Sequence, residues 1–338
     1  MKQIEFSNVG TPQDVVRYAD AEVPGSPGPG EVLVKVLAFP INPADLLTMQ
    51  GIYPRLDPNT KAIGNEAVGE ILAVGTEVED LAPGDRVILL ALNNWRQYRL
   101  VGVRDVFKVS SHGDVLQQAG LKVNPATAAL LLRDFVELKA GNWIMQNAAN
   151  SAVGRATIQL ARLAGIRTVN IVRRPDVVDQ LKALGGDVVL LDGEDLAARV
   201  RASSGGAAML LGIDSVGGPA TDHIVSSLSA GATLVVYGAM SGAPCSISPG
   251  TVVFNDLRVR GLWLSKFLMN APRDTIRTLY GRLDELTAAG RLVTRIDSVF
   301  RADDIKSAVG RACEMGIDGK VIVRFDEPDV SEEPEHVS

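Results

Sequence analysis

The stretch WIMQNAANSAVGRATIQLARLA, residues 143–164, decides the fold. It begins with a short strand-like run, passes through a turn of small residues and leads directly into a helical period. The apolar residues of that period recur at i, i+3, i+4, i+7, i+8 and i+11, and they are Val153, Ala156, Thr157, Leu160, Ala161 and Ala164. This spacing predicts one apolar helix face that packs on a sheet.

The turn, residues 147–154, joins this strand to this helix. Small residues allow the backbone to approach a pyrophosphate, whose charge is met by free N–H groups and by the helix dipole. The cofactor-binding residues predicted in the turn are Asn150, Ser151, Ala152, Val153 and Gly154. The usual dinucleotide fingerprint has three glycines and this segment keeps only Gly154, so the turn taken alone fits an ordinary strand-to-helix connection equally well.

From about residue 122 onward, apolar strand-like runs alternate with helical periods, as in parallel sheets whose strands are connected by crossover helices. The six predicted strands are Trp143–Gln146, Thr168–Val172, Val188–Leu191, Met209–Ile213, Thr233–Tyr237 and Leu257–Leu262. The pattern predicts an α/β fold with a doubly wound parallel Rossmann sheet over residues 122–263. Its ligand crevice is expected at the carboxyl ends of the strands.

The first 120 residues follow a different pattern, with short β-rich runs separated by Gly/Pro turns. These runs are Glu31–Ala38, Ala67–Val74, Asp85–Ala91 and Gln97–Val101. They predict a barrel-like, mainly antiparallel unit, to which a last strand at Lys320–Phe325 is expected to return. We therefore assign residues 1–121 together with 264–325 to a catalytic domain, and the acidic residues 326–338 to a flexible tail.

Composition narrows the class of protein. The 338 residues are 46% hydrophobic and 22% charged, which is ordinary globular usage, and a chain of this length is expected to form two cores. The net charge of −6 offers no basic stripe for nucleic acid. No apolar run approaches the ~20 residues that cross a bilayer. The first residues, MKQIEF, lack the features of a secretory signal or a transit peptide, so we expect a cytoplasmic protein.

The end of the second predicted Rossmann strand indicates which dinucleotide is bound. Arg173 and Arg174 stand there, where an NAD-binding fold normally has an acidic residue for the ribose hydroxyls. A basic pair suits a 2′-phosphate, so the sequence favours NADPH as the cofactor. The alternative is a solvated pair at the mouth of a loop.

A catalytic zinc ion is not expected from the residues that could bind it. Such a metal needs three protein ligands and one open position. The cysteines and histidines of the chain are scattered, at Cys245, Cys313, His112, His223 and His336. Two cysteines are also too few for a disulfide framework.

Three segments near the N-terminus resemble the signature of the medium-chain dehydrogenases/reductases: INPAD at 41–45, GNEAVG at 64–69 and PGDRV at 83–87. The resemblance implies a GroES-like catalytic domain beside the Rossmann domain. Zinc alcohol dehydrogenases of that superfamily have a Cys ahead of the first Asp and a His where Asn65 stands, and both are missing here. The resemblance therefore implies a zinc-free member.

Within that superfamily the chain is most similar to trans-2-enoyl-CoA reductases of the mitochondrial fatty-acid-synthesis type and their bacterial relatives, over nearly its whole length. The matching segments are QGIY at 50–53, VNPATA at 123–128, QNAANSAVG at 146–154, TVNIVR at 168–173, YGAM at 237–240 and GLWLS at 261–265. The resemblance implies NADPH-dependent reduction of the C=C bond of a 2-enoyl thioester, carried by CoA or by acyl carrier protein. Tyr53 matches the family's proton donor.

The same resemblance implies further contacts with NADPH. Beyond the turn they are Asn124, Arg173, Arg174, Tyr237, Gly238, Ala239, Met240, Leu262, Trp263, Leu264 and Lys320. Ala152 and Ala239 depart from the pattern, because the family often has Gly at both positions. Residues 89–94 also diverge, near the expected acyl pocket.

Several interpretations stay open at this stage. Tyr53 also fits a packing role on its loop, whereas Trp95 is expected to fill a core and Trp263 to line the site. A zinc-independent quinone reductase or another enone reductase would use the same NADPH site without a proton-donating Tyr, and a non-catalytic protein could merely bind NADPH. We also expect a homodimer formed through edge strands of the Rossmann domains.

Overall fold

The computed structural model describes residues 1–54 and 60–325, and the tail predicted at 326–338 lies outside them. The strands are β1 Lys2–Phe6, β2 Val16–Asp20, β3 Glu31–Pro40, β4 Val68–Val74, β5 Arg86–Leu89, β6 Tyr98–Gly102, β7 Val106–Lys108, β8 Trp143–Gln146, β9 Arg167–Val172, β10 Val188–Leu191, β11 Met209–Asp214, β12 Thr233–Val236, β13 Arg258–Gly261, β14 Ile296–Arg301 and β15 Lys320–Arg324. The α-helices are α1 Pro12–Val15, α2 Pro43–Met49, α3 Val115–Ala119, α4 Asn124–Arg133, α5 Ala152–Leu163, α6 Val178–Leu184, α7 Leu196–Ser203, α8 Pro219–Val225, α9 Pro249–Asn255, α10 Leu264–Asn270, α11 Arg273–Ala288 and α12 Ile305–Cys313.

The chain divides into two compact units, and the division differs from the predicted domains at one boundary. Unit 1 contains residues 1–120 and those from 296 onward, and unit 2 contains residues 121–295. The segment 264–295, which we assigned to the catalytic domain, therefore belongs to unit 2. Packing explains the difference, because α11 contacts α4 and the buried Tyr280 donates a hydrogen bond to the carbonyl of Lys122 at 3.0 Å.

Unit 2 is built on a six-stranded sheet in the order β10-β9-β8-β11-β12-β13. Every strand pairing in it is parallel, which confirms the predicted doubly wound sheet. Strands β8 and β10 have the predicted bounds, and the other four differ by one residue at one or both ends. The strand order reverses between β8 and β11, so the ligand crevice of such a sheet is expected at the carboxyl ends of these two strands.

Helix α5 follows β8 and presents the predicted apolar face. Val153, Ala156 and Ala161 of that face are buried, whereas Ala164, just beyond the helix, is exposed. Burial extends beyond this face, to Ile158 and Gln159, because α4 also packs against α5. The helix is therefore enclosed on more sides than a single apolar stripe requires.

Unit 1 contains a mainly antiparallel sheet in the order β14-β15-β3-β4-β5-β7, with β6 also paired to β3. The strand β15 pairs antiparallel with β3 and parallel with β14, so the end of the chain returns to the first domain as predicted. Trp95 is completely buried and stacks on Phe39 with 5.0 Å between ring centroids, which confirms its place in a core. Across 1–54 and 60–325, no helix has the length and apolar character needed to cross a membrane.

Candidate active site

A hydrogen-bonded network joins the carboxyl ends of β8 and β11. Asp214, the last residue of β11, is fully buried. Its Oδ1 accepts hydrogen bonds from Asn147 Nδ2 at 2.6 Å and from the backbone N–H groups of Val216 at 2.8 Å and Gly217 at 3.0 Å. Its Oδ2 accepts one from Thr221 Oγ1 at 2.6 Å. Because buried carboxylates are costly unless their oxygens are hydrogen-bonded, this network fixes the two loops that border the crevice.

The turn before α5, predicted to bind a pyrophosphate, is held by contacts within the turn and the start of the helix. Ser151 is the N-cap of α5, and its hydroxyl accepts a hydrogen bond from the N–H of Gly154 at 3.1 Å. A Cβ atom on Gly154 would lie 2.6 Å from the carbonyl oxygen of Ala149, so only glycine fits. Ala148 adopts a left-handed backbone with φ of 45°. The N-terminus of this twelve-residue helix thus offers N–H groups and a positive dipole end to an anion.

Tyr237 brings the ends of β8, β11 and β12 together. Its hydroxyl forms hydrogen bonds with the side chains of Ser215 and Ser151. Burial raises the pKa of Tyr237, and the two hydrogen bonds partly oppose that shift. A Cβ on Gly238 would lie 2.9 Å from the carbonyl oxygen of Ser215, and the N–H of Met240 donates to the same oxygen at 3.0 Å. Four of the predicted cofactor residues therefore meet around Ser215.

The other predicted cofactor residues of unit 2 lie near these strand ends or on neighbouring helices. Asn150 is half-buried and Ala239 exposed. Asn124 is the buried first residue of α4, which packs on α5. The N–H of Leu262 donates to the carbonyl of Val236 at 3.0 Å, so the chain after β13 stays beside β12. The next two residues, Trp263 and Leu264, begin α10, and Trp263 is 40% exposed.

Arg173 and Arg174 follow β9, at the same edge of the sheet. Arg173 is exposed and Arg174 is half-buried. The Nε atom of Arg174 lies 3.6 Å from the Oδ1 atom of Asp176, an acidic residue two positions further along the chain. Arg173 is therefore the more accessible of the two guanidinium groups.

Lys320, predicted to line the cofactor site, lies in unit 1 and has buried partners there. Its ammonium group donates hydrogen bonds to Asn42 Oδ1 and to the carbonyl of Ile41, the latter at 3.2 Å. Asn42 Nδ2 in turn donates to Glu66 Oε1 at 2.7 Å. Lys320, Asn42 and Glu66 are only 6%, 2% and 0% exposed. Burial lowers the pKa of Lys320, and the charges of Glu66 and Asp45 oppose this.

Asp45 completes this buried group. Its Oδ2 accepts from the N–H of Asn42 at 2.8 Å, and its Oδ1 accepts from the backbone N–H of Asn65 at 3.0 Å and from Asn65 Nδ2 at 2.7 Å. Burial raises the pKa of Asp45 to about 6, opposed by these hydrogen bonds and by the charge of Lys320. We call Asn42, Asp45, Asn65, Glu66 and Lys320 the buried ionic cluster.

This cluster does not fit a zinc ion. Asn65 occupies the position where zinc members of the superfamily have a histidine, and its amide nitrogen is a hydrogen-bond donor to Asp45 rather than a lone-pair donor to a metal. Within 1–54 and 60–325, no group of three His, Cys, Asp or Glu side chains is arranged to hold a metal.

Tyr53 is positioned by α2, whose first turn belongs to the buried ionic cluster. The N–H groups of Ile52 and Tyr53 both donate to the carbonyl of Leu47, at 2.9 and 3.1 Å. Gly51 turns the chain at this point with φ of 72°. The side chain of Tyr53 is half-buried. Residues 50–53, the Tyr53 hook, thus follow directly from the helix.

Four residues of these networks, Asn42, Glu66, Asp214 and Ser215, were not predicted as site residues. A signal for Asp214 was available, because it is an acidic residue at the end of an apolar strand and two glycines follow it at 217–218. For Asn42 and Glu66 the motifs were recognised, but their shared contact was not predictable from spacing alone.

Comparison with known proteins gives two family matches. Residues 28–111 match the alcohol dehydrogenase GroES-like domain, and residues 152–284 match the zinc-binding dehydrogenase family. The chain is 34% identical, over 330 residues, to the mitochondrial enoyl-[acyl-carrier-protein] reductase of Homo sapiens, covering 96% of this chain and 88% of the relative.

Two solved structures are also similar to this chain over nearly its whole length. The complex of Etr1p with NADP and crotonyl-CoA is 26% identical, with a TM-score of 0.86 over 96% of this chain and 99% of the other. A quinone oxidoreductase from Pseudomonas syringae pv. tomato DC3000 is 26% identical, with a TM-score of 0.85 over the same shares. The expected cytoplasmic location is contradicted, because the human relative and others from nematode to plant are named mitochondrial.

Proposed function

Because the chain belongs to the medium-chain dehydrogenase/reductase family, together with the enoyl-[acyl-carrier-protein] reductases that it matches, we propose that it uses NADPH to reduce the C=C bond of a 2-enoyl thioester. The single observation that carries this proposal is the similarity over nearly the whole chain to such a reductase. The likeness to a structure with NADP and crotonyl-CoA supports it. The carrier of the acyl group is CoA or acyl carrier protein.

Unit 2 supplies the dinucleotide site in this proposal. The N-terminus of α5 binds the pyrophosphate, and the residues around Ser215 support the cofactor at the crevice. NADPH, when bound, supplies the hydride that is added to Cβ of the substrate. The fit is supported by Gly154 and Gly238 at these strand ends, where a Cβ would collide with the backbone of Ala149 and of Ser215.

Tyr53 supplies the proton that the reaction requires at Cα. Negative charge develops on the thioester oxygen as the double bond is reduced, and a neutral phenol can donate a hydrogen bond or a proton to the enolate. The hook after α2 gives this side chain a defined backbone position.

Arg173 and Arg174 select NADPH over NADH in this proposal. Guanidinium groups form charge-assisted hydrogen bonds with a 2′-phosphate, which NADH lacks. The exposure of Arg173 at the carboxyl end of β9 supports this role. Arg174 contributes less to binding of the 2′-phosphate, because it is already paired with Asp176.

The alternative is a zinc-independent NADPH:quinone oxidoreductase, favoured by the likeness to the Pseudomonas syringae enzyme. The two activities share a fold and a cofactor, but quinone reduction does not require the Tyr53 proton. A substrate panel separates them: crotonyl-CoA, longer enoyl-CoAs, ortho- and para-quinones and primary alcohols, each with NADPH or NADP⁺. Turnover of enoyl-CoAs that survives a chelator supports the proposal, and turnover of quinones alone contradicts it.

We also propose that the chain forms a homodimer through unit 2. The edge strand β13 is exposed along its whole length, and Val259 on it is 48% exposed. On α9, which precedes β13, Phe254 is 85% exposed. A two-fold partner would pair the free strand edge and cover these apolar side chains. Light scattering at micromolar concentration checks this, and a monomer would contradict it.

A further inference from the structure

Unit 1 contains a second pocket, formed where the start of β6 meets the chain that follows β2. Its lining includes Arg96, Tyr98 and Arg99 together with residues 21–25, and all of these belong to unit 1. Its volume is about 500 Å³, which is within the range of small-molecule sites. We call it the arginine pocket.

The two guanidinium groups of the arginine pocket have hydrogen-bond donors without acceptors. The Nε atoms of Arg96 and Arg99 are both shielded from solvent, and neither has a hydrogen-bond partner within 1–54 and 60–325. Arg99 donates one hydrogen bond, from Nη2 to the carbonyl of Leu92 at 3.0 Å. Because buried donors in folded proteins are normally paired, the two groups call for an acceptor from outside the described part of the chain.

The charges of the two groups point to the same requirement. Burial lowers the pKa of Arg99 to about 10, the charge of Arg96 adds to this shift, and the charge of Asp105 opposes it. Burial also lowers the pKa of Arg96, and the charge of Glu5 opposes that shift. Two cations therefore lie close together in a partly desolvated place, where a bound anion would offset both their repulsion and their loss of hydration.

The backbone that carries the two arginines is fixed by strand pairing. Arg99 is paired with Val34 of β3, and Arg96 is paired with Gln3 of β1 in an isolated antiparallel bridge. Between them, the N–H of Gln97 donates to the carbonyl of Lys2 at 3.0 Å. A ligand would therefore meet a preorganised backbone, and only side chains would need to adjust.

From this pocket and its unpaired donors, we propose that Arg96 and Arg99 bind a phosphate group of a small molecule. A phosphate monoester carries nearly two negative charges at neutral pH and offers three acceptor oxygens, which suits two guanidinium groups, whereas a carboxylate offsets only one charge. Glu22, the acidic residue of the lining, is exposed, so solvent screens its charge.

The size of the arginine pocket indicates that the phosphate belongs to a larger molecule. Two sources share this chemistry, namely the 3′-phosphate of the CoA that carries an enoyl group and a separate phosphorylated metabolite. The first source rests on the proposed function, and the second does not.

Calorimetric titration with inorganic phosphate tests the site, in phosphate-free buffer of low ionic strength and with saturating NADP⁺ to occupy unit 2. The wild type should bind phosphate, and Arg96→Gln combined with Arg99→Gln should weaken the binding by ~10-fold or more, because each guanidinium group supplies charge-assisted bonds. Arg17→Gln is the matched control, because Arg17 is an exposed arginine of unit 1 on β2 and does not line the pocket. The control should bind phosphate as the wild type does.

Titration with CoA and with dephospho-CoA, which lacks the 3′-phosphate, distinguishes the two sources. Tighter binding of CoA, lost in the double variant, supports the proposal with CoA as the source. Equal binding of the two, together with phosphate binding that depends on both arginines, supports it with a separate metabolite as the source. If the enzyme reduces only quinones, the CoA source fails while the phosphate titration is unaffected.

Three results would overturn the proposal. They are the absence of phosphate binding by the wild type, which needs no variant, equal affinity of the wild type and the folded double variant, and binding of acetate as tight as that of phosphate. Thermal unfolding establishes which variants are folded, and phosphate should raise the Tm of the wild type but not that of the double variant. If the double variant does not fold, Arg96→Lys with Arg99→Lys keeps both charges but loses the planar fork, and it should bind phosphate more weakly than the wild type.

Discussion

Asp45 in unit 1 and Asp214 in unit 2 are both fully buried aspartates, and the two units stabilise them in different ways. Asp214 is surrounded by neutral donors, namely two backbone N–H groups, the Asn147 amide and the Thr221 hydroxyl. Asp45 has neutral donors too, but it shares its surroundings with the charges of Lys320 and Glu66.

The two buried aspartates therefore depend on different kinds of partner. A frame of neutral donors holds the Asp214 carboxylate and the loops around it in unit 2 without a buried counter-charge. The buried ionic cluster of unit 1 depends on a cation from a distant part of the chain. Removing one partner of a buried charge strongly destabilises the folded state. We therefore expect unit 1 to be more sensitive to substitution and to pH.

The largest expected effect is a loss of kcat, without a change in NADPH binding, when Tyr53 of unit 1 is replaced. Tyr53→Phe should lower kcat for crotonyl-CoA by ~10²–10⁴-fold, about 3–5 kcal/mol in the barrier, with the lower end expected because a bound water can replace part of the donor. The NADPH Kd should not change. Tyr98→Phe, another half-buried tyrosine of unit 1, is the control, and wild-type rates in the Tyr53 variant would make Tyr53 a packing residue.

The second prediction concerns pH. The pKa of Asp45 is raised from 3.8 to about 6, so the folded state holds this proton more tightly than the unfolded state does. The stability that this contributes is complete below about pH 4 and is lost as the pH rises through about 6, by about 3 kcal/mol in all. Urea unfolding at several pH values should show this loss in the wild type and not in Asp45→Asn.

The same substitution should have different costs at the two aspartates at about pH 7. In Asp45→Asn, one carboxylate oxygen becomes an NH₂ group that faces N–H donors of Asn42 or Asn65, which leaves buried donors unpaired and costs about 2–3 kcal/mol. In Asp214→Asn, the new NH₂ group can donate to the Thr221 hydroxyl, so the cost should be about 1 kcal/mol. Equal unfolding free energies for the two variants would contradict the comparison.

The smallest expected effect lies in unit 2. Replacing both Arg173 and Arg174 by Ala should raise the NADPH KM roughly tenfold, because charge-assisted bonds to the 2′-phosphate contribute ~1.5–3 kcal/mol each and Arg174 is already paired. The NADH KM should stay nearly constant. Arg167→Ala, at the opposite end of β9, is the control. Equal losses with both cofactors would show that the pair is structural.

Much of unit 2 was predictable from sequence because its strands are continuous apolar runs separated by helical periods. The boundary at 263 was not, since the return of 264–295 to this unit depends on single distant contacts. Gln159, for example, exchanges two hydrogen bonds with the backbone of Val293, at 2.9 and 3.1 Å. A contact of that kind cannot be predicted from a periodic pattern in the sequence.

The site divides in the same way. The local pattern of a strand, a turn of small residues and a helix predicted the turn that holds Ser151 and Gly154, whereas Tyr237 was proposed only through the family resemblance. The partners of Lys320 were not, because Asn42 lies 278 positions earlier in the chain and only the pairing of β15 with β3 brings the two strands together. The resemblance to a family identified the lysine but not what its ammonium group contacts.

The return of β15 to unit 1 also has a consequence during synthesis. Unit 2 is one continuous segment, 121–295, so all of its strands have left the ribosome before β14 and β15 are made. Unit 1 cannot be completed until strands β14 and β15 have been synthesised. Before Lys320 is synthesised, its ammonium group cannot pair with the carboxylates of Asp45 and Glu66. The domain that is translated first is therefore completed last, and in the interval the nascent protein must keep its two acidic side chains hydrated.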